Sequence, residues 1–231
     1  MILSNPFKSQ ATSALENAMY YANGCCKSTD ISEALLKLKD LRKVFLRKIQ
    51  SDQIALSYMS PVHSAPKSIC YPQLFGTALG DLATKMEEIT IKKETLNLAQ
   101  DCVLPTPWHP KSMKANIGIY GLNHGRRPWI HQPLNHKVKW IPTFAIGIVD
   151  GGNHSLTAAV ITNELTHLNI KESCDLSKMF ESYYFDGRAY KEKGSSKFSS
   201  IPEISEFGIV FELSRKIHEL QNSGARVNGT N

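Results

Sequence analysis

A chain of 231 residues, 42% of them apolar, has the length and composition of an ordinary globular protein with one substantial core or a domain with a helical extension. Its 27 Lys and Arg against 21 Asp and Glu leave a net charge of +6 and a pI near 9.0, an excess that favours anionic partners such as nucleotides, RNA or DNA without requiring them. No apolar run approaches the ~20 residues of a membrane span; there is no signal-peptide pattern at the start, and the five cysteines (Cys25, Cys26, Cys70, Cys102, Cys174) contain no CxxC pair. A membrane partner, a disulfide framework and a zinc knuckle are therefore not expected, and a cytoplasmic location is.

Three helices are predicted in the first ninety residues. In the first, Phe7, Ala11, Leu15, Ala18 and Ala22 recur at helical spacing and Gly24 supplies the stop. The second opens on Asp30 and Glu33, a capping-box-like pair, and carries Ile31, Leu35, Leu38, Leu41, Phe45 and Ile49. Its other face holds Lys37, Lys39, Arg42, Lys43, Arg47 and Lys48, read first as solvated surface and alternatively as a phosphate-backbone contact. After a proline-bearing loop, Pro72 opens a third helix along which Leu74, Phe75, Ala78, Leu79, Leu82, Met86 and Ile89 repeat. Residues 1–92 are thus expected to form a helical cap, followed by an α+β domain over 93–221 and a disordered tail over 222–231.

The texture changes near Thr95. Residues 96–108 read as an extended segment ending at Pro105, Pro107 and Trp108. Residues 109–140 are rich in Gly, Pro, Asn and His and carry four of the eight histidines (His109, His124, His131, His136) with the pair Arg126, Arg127. Strands are predicted around Ile117 to Tyr120 and Lys137 to Ile141, joined by a long loop.

Residues 140–168 form the stretch around which the rest is organised. Phe144, Ile146 and Ile148 alternate with Ala145, Gly147 and Val149, a strand period. Gly151 and Gly152 supply a sharp turn, and Asn153 is the expected N-cap of a helix carrying Leu156, Ala159, Val160 and Leu165. The free amides at such a helix start form an anion site surrounded by Asp150, Asn153, His154 and Ser155. Further on, residues 179–191 read as a hairpin turning at Asp186-Gly187. Ile204, Phe207, Val210, Phe211, Ser214 and Ile217 mark a final amphipathic helix.

Other chemistries have weaker support. Glu164 and His167 lie more than two turns beyond His154, too far along one helix to share an ion with it, and no HExxH is present, so no protein-bound metal is expected. A His-Asn-His nuclease would use Asn135-His136 and Asn153-His154, but without its usual spacing. No GxSxG elbow, GxxxxGK[ST] loop or GxGxxG fingerprint occurs.

The extended lead-in, the strand and the Gly-Asn-His-Ser helix start resemble the ParB/sulfiredoxin fold, in which a D-G-x-H-R or G-C-H-R turn opens a helix and holds nucleotide phosphates. Asp150, Gly152 and His154 match the acidic, glycine and histidine positions. Ser155 stands where those families carry arginine, a role that Arg126 or Arg127 would fill from another loop. The chain is also similar to an uncharacterised bacterial family marked by GNHS (Gly152 to Ser155), YFDG (Tyr184 to Gly187) and a helix with Glu206-Phe207-Gly208 and Phe211-Glu212.

These readings give an α+β protein, a small mixed sheet with a ParB/sulfiredoxin-like strand-turn-helix capped by N-terminal helices. The first expectation is binding of a nucleotide, with Mg²⁺, or of a phosphate ester, as a setting for phosphoryl transfer or hydrolysis. Gly151, Gly152, Asn153, Ser155, Arg126 and Arg127 would hold phosphate. His154 would act as acid-base, and Asp150 would orient it or bind the ion. The alternatives are a non-catalytic nucleic-acid-binding module and a defence-system accessory in which the turn is only structural.

Overall fold

The computed structural model describes residues 10–59, 68–107, 110–116, 118–120, 125–162 and 167–228. In chain order the elements are α1 Gln10–Cys25, α2 Ile31–Met59, α3 Tyr71–Phe75, α4 Thr77–Met86, β1 Glu88–Asn97, β2 Cys102–Leu104, α5 Pro110–Asn116, β3 Lys137–Ile141, β4 Ile146–Gly151, α6 Asn153–Thr162, β5 His167–Asp175, α7 Met179–Ser182, β6 Tyr183–Phe185, β7 Tyr190–Glu192 and α8 Ser205–Asn228. The protein is α+β, with helices at the N-terminus and a mixed sheet. Its chain divides into two compact units that interleave along the sequence. One takes the described residues of Met1–Leu46, Tyr71–Glu87 and Leu176–Asn231; the other takes those of Arg47–Cys70 and Glu88–Asp175.

The first unit is held by aromatic packing. Phe75 meets the rings of Tyr190, Phe207 and Phe211 at 5.8, 5.2 and 6.5 Å, tilted or edge-on as ring quadrupoles prefer. Asp30 caps α2, its Oδ1 accepting the backbone N–H groups of Ser32 and Glu33 at 2.8 and 3.3 Å. Glu33 does not complete a capping box; it accepts from Ser28 and pairs with Lys37. The expected third helix is two helices, because Gly76 breaks it with φ +76° where a Cβ would lie 2.5 Å from the Ile201 carbonyl oxygen. Ile89 belongs to β1 instead.

The predicted hairpin forms as β6 and β7, preceded by the short α7. Asp186 Oδ1 accepts the N–H groups of Arg188 and Ala189, each at 2.8 Å. The stripe on α8 is buried at Phe207, Val210, Phe211, Ser214 and Ile217. That helix continues to Asn228, through polar residues that signal an earlier end.

The second unit holds a five-stranded sheet in the order β1-β5-β3-β4-β2. β1 with β5 and β3 with β4 are antiparallel, whereas β3 with β5 and β4 with β2 are parallel. The strand whose alternation was expected to include Phe144 and Ala145 begins at Ile146. Phe144 and Ala145 close a turn onto the Ile141 and Pro142 carbonyls, with Ala145 at φ +56°. Leu168 lies on β5, not on a continuation of the α6 helix. The strand predicted near Tyr120 reduces to a single bridge with Arg127, and Ile117 lies outside the described residues. Leu96, Val103, Trp140, Val149, Leu168 and Ile170 pack with Leu156 and Ala159 of α6 and with Trp129. Arg47, Gln50 and Gln53, three apart on α2, hold the backbone carbonyls of Ala99 and Val103 and the Thr106 hydroxyl. They cover the open edge that β2 would otherwise present.

Candidate functional site

The site residues in the second unit collect where β4 ends. Gly152 has φ +76°, and a Cβ on it would sit 2.4 Å from His136 Cδ2; one on Gly151 would sit 2.7 Å from the Asn135 carbonyl oxygen. Gly152 is thus required twice over, by backbone conformation and by the close approach of His136, whereas Gly151 is required only by the approach of Asn135. The hairpin β3–β4 leads straight into α6, so Asn135-His136 and Gly151-Gly152 adjoin although they are distant in sequence.

Asn153 is the first residue of the helix rather than its cap. Gly152 is the cap, its carbonyl accepting the Leu156 N–H at 2.9 Å. From inside the first turn the Asn153 side chain points away from the amides it was expected to cap. Its Oδ1 accepts the N–H of Thr106 at 2.6 Å and ties the segment after β2 to the helix start.

Ser155 is the polar centre. Trp129 Nε1–H donates to its Oγ at 2.9 Å, and His136 Nε2 lies 3.2 Å away. The His136 tautomer follows from its other nitrogen: Nδ1 accepts the backbone N–H of Gln132 at 2.9 Å and so carries no proton. Nε2 then holds the ring hydrogen and donates it to Ser155. The hydroxyl accepts two hydrogen bonds and, among the described residues, gives none. This is the reverse of a serine activated by a histidine base, since His136 is the donor. With both nitrogens engaged it has no lone pair for a metal. Burial and the neighbouring His131 push its pKa down to about 4.

Three near-parallel rings support this arrangement. Trp129 stacks on His136 at 4.7 Å and 21°, and His131 stands 5.8 Å from His136 at 21°. Burial lowers the pKa of His131 against a hydrogen bond to the His136 backbone that raises it. Its Nε2 is buried without a partner among the described residues.

The other expected residues are placed differently. Asp150 is exposed and makes no side-chain hydrogen bond or ion pair among the described residues, so it does not orient His154, which is half-buried. Arg126 and Arg127 are exposed. The Arg126 guanidinium lies against Gly118, the Arg127 N–H donates to the Ile119 carbonyl at 3.2 Å, and no described hydrogen bond joins either side chain to the turn. His109, His124 and Glu164 lie outside the described residues, and His167 is exposed on β5. The basic face of α2 is largely occupied. Arg42 is buried against Ser214, Arg47 holds Ala99, and Lys37 and Lys48 pair with Glu33 and Asp52. No group of three or more His, Cys, Asp or Glu able to hold a metal occurs among the described residues.

A family model described as a family of unknown function, DUF6710, matches residues 4–224. The chain belongs to the DUF6710 family. No curated protein and no solved structure matches it.

Within this DUF6710 chain the marked motifs divide into two kinds. YFDG and residues 206–212 build the first unit's core. The Phe185 N–H donates to the buried Glu212 Oε1 at 2.7 Å, its ring lies where a Cβ on Gly208 would be, and Gly187 leaves room for Thr12. GNHS opens α6 in the second unit. Nothing in the sequence singles out Trp129 or Thr106, and His136 stands there as one of four loop histidines and, with Asn135, in the weaker nuclease pattern. The donor to His136 Nδ1 is a backbone N–H that any non-proline residue supplies, so no residue type in the sequence announces it.

Proposed function

We propose that the second unit binds a phosphate-bearing anion, a nucleotide or a phosphate ester, at the N-terminus of α6. The observation that carries this reading is the Ser155 hydroxyl, which receives hydrogens from Trp129 and His136 and has its own hydrogen left to give. Two incoming bonds polarise an O–H and strengthen it as a donor. The start of α6 faces the same end and adds the positive pole of the helix dipole. An acceptor with negative charge completes all of these at once. The likeness of this strand-turn-helix to the phosphate-binding turn of the ParB/sulfiredoxin families supports the same ligand class.

In this reading Ser155 substitutes a polarised hydroxyl for the family arginine. His154, in the first turn, is the group to give or take a proton in phosphoryl transfer or hydrolysis, and the exposed Asp150 would meet a magnesium ion carried by the nucleotide. Calorimetric titration with inorganic phosphate and with ATP, each with and without Mg²⁺, tests it. Ser155→Ala is expected to weaken binding about 10–100-fold, the loss of a hydrogen bond to a charged group. His154→Ala separates binding from chemistry, and equal affinities would remove that imidazole from the site. Wild-type protein that takes up neither phosphate nor ATP would overturn the proposal.

A further inference from the structure

The chain's net charge is concentrated in one stretch of the sequence. Between Cys102 and Val149 there is no Asp or Glu, while Lys111, Lys114, Arg126, Arg127, Lys137 and Lys139 give six cations. Outside that stretch the chain has 21 basic and 21 acidic residues, so the whole excess of +6 lies within it. The structure adds a loop with unusual exposure. Residues 125–137 are pinned at Trp129, 5% exposed, and at His136, 4% exposed, through their bonds to Ser155. Between and beside these anchors Ile130 is 68% exposed and Leu134 93% exposed. Arg126, Arg127 and Lys137 flank them, all exposed and without a described ion pair.

We infer that this loop docks the second unit on an anionic lipid surface, Ile130 and Leu134 entering the headgroup region while Arg126, Arg127 and Lys137 meet lipid phosphates. Single exposed apolar residues are common on any protein. Two aliphatic side chains held outward between anchored residues, with cations on both sides, are the chemistry of a segment lying in a membrane interface. Basic residues beside a bilayer are drawn to its negative surface potential. A nucleic acid would account for the arginines but not for a leucine turned almost wholly into solvent. Asp150, the first carboxylate beyond the stretch, is exposed and makes no ion pair with the three cations among the described residues. No helix among the described residues is long and apolar enough to cross a membrane, so any such attachment is peripheral. This inference does not depend on a ligand at α6.

Cosedimentation of the full chain with phosphatidylcholine vesicles, with and without phosphatidylglycerol, tests it. Binding is expected only with the anionic lipid and falls as salt rises. Replacing Arg126 or Arg127 with Gln should weaken partitioning about fivefold each, and Leu134→Ser about tenfold. These positions are exposed, and unchanged thermal melting would confirm that the variants fold. Failure to bind either vesicle overturns the inference. So does binding untouched by Ile130→Ser and Leu134→Ser, which would be charge attraction alone. Salt-sensitive capture of single-stranded or duplex DNA in preference to vesicles, or self-association that Leu134→Ser abolishes, would equally replace the bilayer with a different partner.

Discussion

The Nε2 of His136 lies 3.2 Å from the Oγ of Ser155, and the proton between them belongs to the histidine. Because the Gln132 N–H fills Nδ1, protonating the ring would set a new N–H against an existing one. The native state therefore holds this imidazole neutral, with its pKa pushed down to about 4 by burial and by His131. The unfolded chain takes up the proton near the ordinary 6.5. Between those two values the unfolded state binds more protons, so stability falls as pH drops through that window and levels off below it. The expected loss is on the order of 2 kcal/mol, less than full conversion because the ring retains some solvent contact. Urea denaturation of wild type and His136→Phe across the window should show a shallower pH dependence in the variant.

Gly152→Ala should be costly where Gly125→Ala is not. Both glycines have positive φ, +76° and +68°, but a Cβ on Gly125 meets nothing within 4 Å. At Gly152 the added methyl would press on a ring bonded at both nitrogens, which cannot move aside without breaking the bond to Ser155 or to Gln132. We expect about 3 kcal/mol of destabilisation at Gly152 and about 1 kcal/mol at Gly125, read from denaturation midpoints.

Asn153 separates structure from binding. Thr106 is buried, and its N–H has the Asn153 Oδ1 as acceptor. Asn153→Ala should cost about 1–2 kcal/mol by leaving that donor unmatched. Asn153→Asp keeps an acceptor and places a negative charge at a helix start, so stability should hold. The same charge would repel an anion, and phosphate affinity should fall even though the fold persists. Thermal melting alongside phosphate titration checks both halves.

In the first unit, Glu212 accepts the Phe185 N–H and pairs with Arg215 while 3% exposed. Glu212→Gln retains the acceptor and should cost about 1 kcal/mol. Glu212→Ala strands a buried N–H and should cost about 2–3 kcal/mol, measured by urea unfolding.

Much of the architecture was legible because local periodicity states it directly. The stripe Phe207, Val210, Phe211, Ile217 fixed a helix face, and Asp186-Gly187 fixed a hairpin turn. The strand β3 was read at its observed bounds, Lys137–Ile141. Leu168 and Ile170 alternate with exposed neighbours, but the helical spacing that precedes them runs into β5 and hides it. Gly76 was passed over for a similar reason: helical spacing continues across it, and only the approach of Ile201 forces the break.

At the candidate site the division is sharper. Sequence alone determined that a strand ends in two glycines and a helix opens on Asn-His-Ser, since turn conformation and helix spacing are properties of neighbouring residues. It could not say which histidine serves that turn. Only the tertiary structure decided that, by folding β3 back along β4 so that residue 136 rests on Gly152 and reaches Ser155. The direction of each hydrogen bond was decided there as well. A proton's position depends on what stands at the far nitrogen of the ring, and that partner is set by packing rather than by spacing along the chain.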